Sequence, residues 1–342
     1  MRVLMMCVVL VASCRSASPA PVAVAPGPPK LTFLGVGVLP RQDFQGAPVG
    51  GLSALAYDAA GNRYLALSDD RSERAPARIY VLNIVLTDNQ PTLTVTGVVT
   101  LLDDEGKPFA EHALDPEGLA LLSPTRALLS SEGIASRNIQ PFVKEVSLPS
   151  GKVVRTFEPP PAILLHADGG HGVRENYGLE ALALCPGGLK ALTLTEGVLA
   201  QDGPWPSGTP GLPSRAYMYD ISKGSVEQEW RYPLEASPPG ALVHGITTAL
   251  CLDAAGEALV LERSWGVMTG FAIQLFHARV RDGIFVKERV LDLGTLGVPL
   301  DNLEGMTLGP VLEDGRQLLL IISDDNFRTD QVTQVLAFAL TR

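Results

Sequence analysis

The feature that most limits what this chain can fold into is one short pattern written five times. Each copy opens at a glycine or a glutamate, runs as an apolar strand, turns, and returns as a second apolar strand closing on a carboxylate. The copies begin Gly51-Leu-Ser-Ala-Leu-Ala-Tyr57, Glu117-Gly-Leu-Ala-Leu-Leu122, Glu180-Ala-Leu-Ala-Leu-Cys185, Gly245-Ile-Thr-Thr-Ala-Leu-Cys251 and Glu304-Gly-Met-Thr-Leu308. They close on Ser68-Asp69-Asp70, Ser131-Glu132, Thr195-Glu196, Leu261-Glu262 and Ser323-Asp324-Asp325. Self-similarity at about 50 to 65 residues indicates a closed array of like units.

Each hairpin is followed by further strand-like runs. These are 77–86 and 92–102, 142–148 and 152–157, 215–221 and 226–232, and 271–280 and 284–293. Long helical periods are absent, and Gly and Pro punctuate the runs. The expected fold is therefore all-β, a β-propeller of four-stranded antiparallel blades. The last unit offers only one further strand, 332–340, and the first strand of the chain, 30–39, is left over. Pairing the two closes the ring and hides both edges. Five blades are counted this way; a sixth is possible if residues 158–178 hide a degenerate one.

The first residues read as an export signal. Met1-Arg2 precedes a short apolar stretch, Leu4 to Ala12, too short to span a bilayer. Val11-Ala-Ser-Cys14 resembles a bacterial lipobox, with Cys14 as the lipidated residue; an ordinary secretory cleavage near Ala17 or Ala20 is the alternative. The expected organisation is a signal peptide over 1–13, a lipidated cysteine and Ala/Pro-rich linker over 14–30, and the propeller over 31–342. The lipid is the expected membrane contact, at the bacterial outer membrane. A net charge of −10 argues against a nucleic-acid partner, which would want a basic face. Cys185 and Cys251 fall at one register of consecutive units, as two buried thiols or as a disulfide in an oxidising compartment.

In an antiparallel hairpin the start of the first strand and the end of the second share a rim. Glu117, Glu180 and Glu304 start inner strands, and Asp69, Asp70, Glu132, Glu196, Glu262, Asp324 and Asp325 end second strands. Like charges crowded at one mouth are costly without a counter-ion. Hard oxygen donors favour Ca²⁺, with Mg²⁺ possible, over zinc. Arg71, Arg174, Arg263, Asn176, Asn302 and Asn326 lie beside these acids, and arginine forks suit phosphate or carboxylate. His171, in Gly169-Gly-His-Gly172, is the preferred proton donor among the five histidines. Trp205, Trp230 and Trp265 are expected to be packing residues. No Gly-x-Ser-x-Gly elbow and no phosphate-loop or dinucleotide fingerprint occurs.

At these residues the chain resembles a known family. Gly50-Gly-Leu-Ser-Ala-Leu-Ala-Tyr-Asp58, Ala66-Leu-Ser-Asp-Asp-Arg71, Asp115-Pro-Glu-Gly-Leu-Ala120, Asn176-Tyr-Gly-Leu-Glu-Ala-Leu-Ala183, Asp301-Asn-Leu-Glu-Gly305, Ser323-Asp-Asp-Asn-Phe327 and Gln331-Val-Thr-Gln334 are similar to the phytase-like domain, "esterase-like activity of phytase". The resemblance runs from about residue 31 to the C-terminus. It implies a calcium-associated propeller with phosphoester hydrolase activity in secreted proteins. A Pro-rich connection, Gln201 to Pro213, departs from the pattern and is expected to reshape the mouth.

The expected function is a metal-assisted phosphoric ester hydrolase, a monomer acting on a small-molecule phosphoester. Glu117, Glu180, Glu304 and the strand-ending acids would hold the metal, Arg71 and Arg174 would clamp phosphate, and a rim carboxylate would act as base. A non-catalytic calcium-stabilised binding propeller and a metal-dependent lactonase are the alternatives.

Overall fold

The computed structural model describes residues 27–342; the expected leader and Cys14 lie outside the described residues. Each sequence repeat forms an antiparallel run of four strands. The first consists of Leu52–Asp58, Arg63–Ser68, Arg78–Thr87 and Gln90–Thr100. The second consists of Pro116–Ser123, Arg126–Ser131, Phe142–Ser147 and Val153–Thr156. The third (Leu179–Leu184, Lys190–Val198, Pro213–Asp220, Ser225–Pro233) and fourth (Val243–Cys251, Ala258–Gly266, Gly270–Arg281, Ile284–Asp292) join into one eight-stranded sheet. The join is a single parallel pair, Arg231 with Ile284, between their outermost strands. The last run is Asn302–Val311, Gln317–Asp324 and Thr333–Thr341, completed by Lys30–Leu39 from the start of the described chain. Residues 158–178 form no strand and contain one short 3-10 turn, Pro161–Ile163.

The runs stand face to face around a ring because their inner strands are apolar on both sides. In Arg63–Ser68, Tyr64 and Ala66 enter a cluster with Leu320 and Ile322 of the last run. Leu65 and Leu67, pointing oppositely by the two-residue period of a strand, enter another with Leu119 and Leu129 of the second run. The same alternation packs the second run on the third through Leu128 and Tyr219, and the third on the fourth through Leu194 and Val260. Leu259 and Ile321 join the fourth to the last. Every run thus shares a buried core with two neighbours, which is the arrangement of a propeller.

Cys185 and Cys251 form a disulfide, so the pair left open by sequence is bonded. It joins the ends of the inner strands of the third and fourth runs. Among the described residues no helix is long and apolar enough to cross a membrane.

Candidate metal centre

The inner strands share a defect that builds the site. Each carries a β-bulge near its start, where the pairing slips by one residue between Leu52 and Ala54, Pro116 and Leu119, Leu179 and Ala181, Ile246 and Thr248, and Leu303 and Gly305. A bulged residue is freed from strict alternation and its side chain is re-aimed. The residues within these slips include Ser53, Glu117, Glu180, Thr247 and Glu304, so the units without a glutamate carry a hydroxyl there. The facing strand ends supply Asp69, Glu132, Glu196, Arg263 and Asp324. Their backbones are pinned alike: Asp69 N–H donates to Gly51 O at 2.8 Å, Glu132 to Asp115 O at 3.0 Å and Glu196 to Gly178 O at 2.8 Å. Gly51 is confined to glycine, since its φ is +61° and a Cβ would lie 2.0 Å from Asp69 Oδ1.

These side chains line a cavity of about 510 Å³ at one mouth of the ring. Oxygens from Glu117, Glu180 and Glu304 lie within 4.8 Å of one another, as do those of Asp115, Glu117 and Glu132, and of Glu132, Glu180 and Glu196. The three groups overlap through Glu117, Glu132 and Glu180. Two arginines are built into the wall. Arg71 grips Asp115 through Nε at 2.6 Å and Nη2 at 2.5 Å, and donates to Asn176 Oδ1 at 3.0 Å. Arg263 is buried and donates to Glu304 at 2.8 Å and Glu196 at 2.9 Å, with a third bond to Asn302 Oδ1. Asn302 Nδ2 donates to Glu304 at 2.7 Å.

Burial without enough positive charge disfavours the ionised acids. Desolvation, then neighbouring carboxylates, holds Asp69, Glu117, Glu132 and Glu180 well above the usual carboxylate range. Asp324 is held well above it by the same causes. Burial raises Glu304 too, against the lowering effect of Arg263. Glu196 is pushed up to about 8 by burial, despite Arg263.

The cavity gathers most of the expected residues and leaves others elsewhere. Glu117, Glu132, Glu180, Glu196, Glu304, Asp69, Asp324, Arg71, Arg263, Asn176, Asn302 and Asn326 line it. Glu262 does not. It is one residue out of phase, pairing with Ile246 as Ser68 pairs with Leu52, so it points to the opposite face. There it accepts from Tyr232 Oη at 3.0 Å and is paired with half-buried Lys287. Asp325 is likewise turned away, accepting from Gly51 N–H and Phe327 N–H, both at 3.0 Å. Asp70 caps a turn through Glu73 and Arg74 N–H and pairs with Arg78 at 2.8 Å.

Arg174 is absent from the cavity, because its guanidinium ties the Pro-rich connection, donating to Val198 O at 3.1 Å and Gly203 O at 2.5 Å. That connection buries Trp205, whose Nε1 donates to His244 O at 2.9 Å, and contributes nothing to the cavity lining. His171 lies in a loop against His166, ring centroids 4.3 Å apart, also outside the lining. Sequence reasoning passed over Asp115, although it stands two residues before Glu117, where Asn302 stands before Glu304. It also passed over the lining residues Asp301, Arg328, Asp330 and Gln331, and took Trp265 for packing, whereas Trp265 and Phe271 line the cavity.

The family model described as "Phytase-like: Esterase-like activity of phytase" matches residues 47–327. No curated protein matches the sequence. Among solved structures, an endo-1,4-beta-xylanase from Bacteroides thetaiotaomicron is similar at 11% identity and TM-score 0.48, covering 86% of this chain and 95% of the other. A thermostable family-43 glycoside hydrolase gives 10% and 0.45, covering 87% and 91%. The Dos1 propeller gives 9% and 0.40, covering 86% and 69%. At these values the likenesses bear on neither chemistry nor site, and the fold rests on the strand order above.

Proposed function

This chain belongs to the phytase-like family, and from that premise we propose that it is a metal-assisted phosphoric ester hydrolase on a five-bladed propeller. The observation that carries the reading is the set of three overlapping carboxylate triplets in one cavity. The donor set consists of oxygens alone, which fits a hard divalent cation, calcium first and magnesium second. Asp69 Oδ1 is buried with no hydrogen-bond partner among the described residues, as a free ligand atom would be. Glu117, Glu180 and Glu304 would hold the cation, with Asp115, Glu132 and Glu196 completing the neighbouring groups. A bound cation would neutralise the acids and polarise a phosphoryl oxygen.

The chain's own residues divide the remaining work. Arg71 fixes Asp115, and Arg263 fixes Glu196 and Glu304, so both arginines position carboxylates and do not grip phosphate. Arg328 takes the clamping part expected of Arg174. Its tie to Asp330, 2.8 Å long, is an exposed ion pair that costs little to break. Glu196, held at 2.9 Å by Arg263 beside Glu132 and Glu180, is placed to accept the proton of an attacking water.

The commitment of Arg71 to Asp115 and of Arg263 to Glu196 and Glu304 favours a second reading, a non-catalytic propeller braced by calcium. Phosphate release from phytate and p-nitrophenyl phosphate, with calcium and with chelator, decides between them. Calcium-dependent turnover lost in folded Glu180→Gln and Glu304→Gln supports the hydrolase; no turnover with calcium still raising the melting temperature supports the brace.

We also propose an exported monomer, lipid-anchored through Cys14 at the outer membrane. The Cys185–Cys251 disulfide supports an oxidising compartment. Loss of membrane fractionation in Cys14→Ala checks the anchor.

A further inference from the structure

The cavity has two chemically different walls. Carboxylates and their arginines form one; the other is the outer part of the fourth run, beyond Arg263, and is apolar. Val243, Trp265 and Phe271 are directly opposite one another on three adjacent strands, Val243 pairing with Trp265 and Trp265 with Phe271. Directly opposed residues share a face, so the three form one stripe across the sheet. Trp265 lies two residues beyond Arg263 on the same strand and face. The stripe therefore stands about 7 Å further toward the rim than the Arg263 row. Leu300 joins it in lining the cavity. The two rings are tilted by 47° with centroids 6.4 Å apart. The apolar surface continues outward, where Leu242, Val267 and Met268 are 58%, 72% and 93% exposed.

At the register of Trp265 the other runs place Arg71, Ile134, Val198 and Asn326. Ile134 and Val198 are buried and Arg71 and Asn326 are polar, so among the described residues only the fourth run offers an aromatic ring to the cavity. A polyol carrying several phosphates would have to set charged groups against this stripe and lose their hydration. A flat apolar group would cover it and gain stacking.

We propose that the ligand is an aryl phosphoester, its anionic end at the carboxylate centre and its ring on Trp265 and Phe271. This rests on the phosphoester reading above and adds the class of group that the ester carries.

Calorimetric titration of the calcium-loaded protein with phenylphosphonate and methylphosphonate separates the two ideas. Phenylphosphonate is expected to bind about tenfold more tightly. Trp265→Ala and Phe271→Ala should each cut that preference to about threefold or less, with calcium affinity unchanged. Trp205 and Trp230 are buried, at 9% and 8% exposure, so phenylphosphonate should change tryptophan emission of the unmodified protein through Trp265 while methylphosphonate leaves it alone. This readout needs no variant to fold. Equal affinities, a preference that survives both substitutions, or unchanged emission would overturn the aryl assignment and leave the phosphoester reading standing. Binding of neither probe overturns both.

Discussion

Glu262 and Arg263 are neighbours in sequence and serve opposite faces of one sheet. Arg263 reaches into the cavity between Glu196 and Glu304, and Glu262 reaches back to Tyr232 and Lys287. The fourth run therefore presents a cation where the other four present an acid.

Replacing Arg263 with methionine removes the buried positive charge between Glu196 and Glu304. Breaking such a pair typically costs about 3–5 kcal/mol. Arg263→Met is expected to be destabilised to that extent in chelator and to recover part of the loss when calcium is added. Denaturant melts with and without calcium measure it. Glu262→Gln should also lower stability, but with calcium affinity unchanged.

Stability in the absence of metal should depend on pH in two opposite ways. The cavity acids have folded pKa values above their unfolded ones, so their contribution is intact below the unfolded pKa and is lost as pH rises. For Glu196 that window runs from 4.5 to about 8. Glu262 behaves inversely. His244 and Lys287 hold it below the usual range against the desolvation that raises it, so its contribution is lost as pH falls through its folded pKa. In chelator the melting temperature should fall by about 5 °C or more between pH 5 and 8. Saturating calcium should flatten that slope. A flat profile in chelator would show that the acids are not crowded as described.

The disulfide closes a loop with a sequence separation of 66. By loop-entropy arithmetic it is worth about 4 kcal/mol. Cys185→Ser and Cys251→Ser should melt alike, and each should match the reduced parent protein in a melting scan with dithiothreitol.

Arg174 and His171 stand apart from the cavity, and they part ways with each other too. Arg174→Ala strips donors from the carbonyls of Val198 and Gly203 and should cost about 1–3 kcal/mol. His171→Ala should cost nothing measurable. Calcium titration should give parental affinity for both; a loss in either would return that residue to the site.

Much of the ring was legible because repetition is loud in a sequence. The strand 30–39 was read at its observed limits, and its partner 332–340 was misplaced by one residue at each end. The carboxylates at the mouth were legible for the same reason. What stayed hidden was phase. Glu262 looked equivalent to Glu196 because each is an acid ending an apolar run, but it holds the register of Ser68 and Thr195, and Arg263 holds that of Glu196. The apolar stripe was hidden differently, since Val243, Trp265 and Phe271 become neighbours only across paired strands. Arg174 misled because proximity in sequence to Glu180 says nothing about the carbonyls that the intervening turn brings to it.

The last run takes its fourth strand, Lys30–Leu39, from the opposite end of the domain and pairs it with Thr333–Thr341. That seam has a consequence for biogenesis. A chain emerging N-terminus first must keep an unpaired apolar strand waiting until some three hundred further residues have followed it. Glu304 and Asp324 belong to this late run, so the acidic mouth is the last part of the molecule to exist. A truncated product lacking residues 333–341 would leave Glu117, Glu132 and Glu180 without Glu304 fixed opposite them, and with two raw sheet edges to offer to other chains.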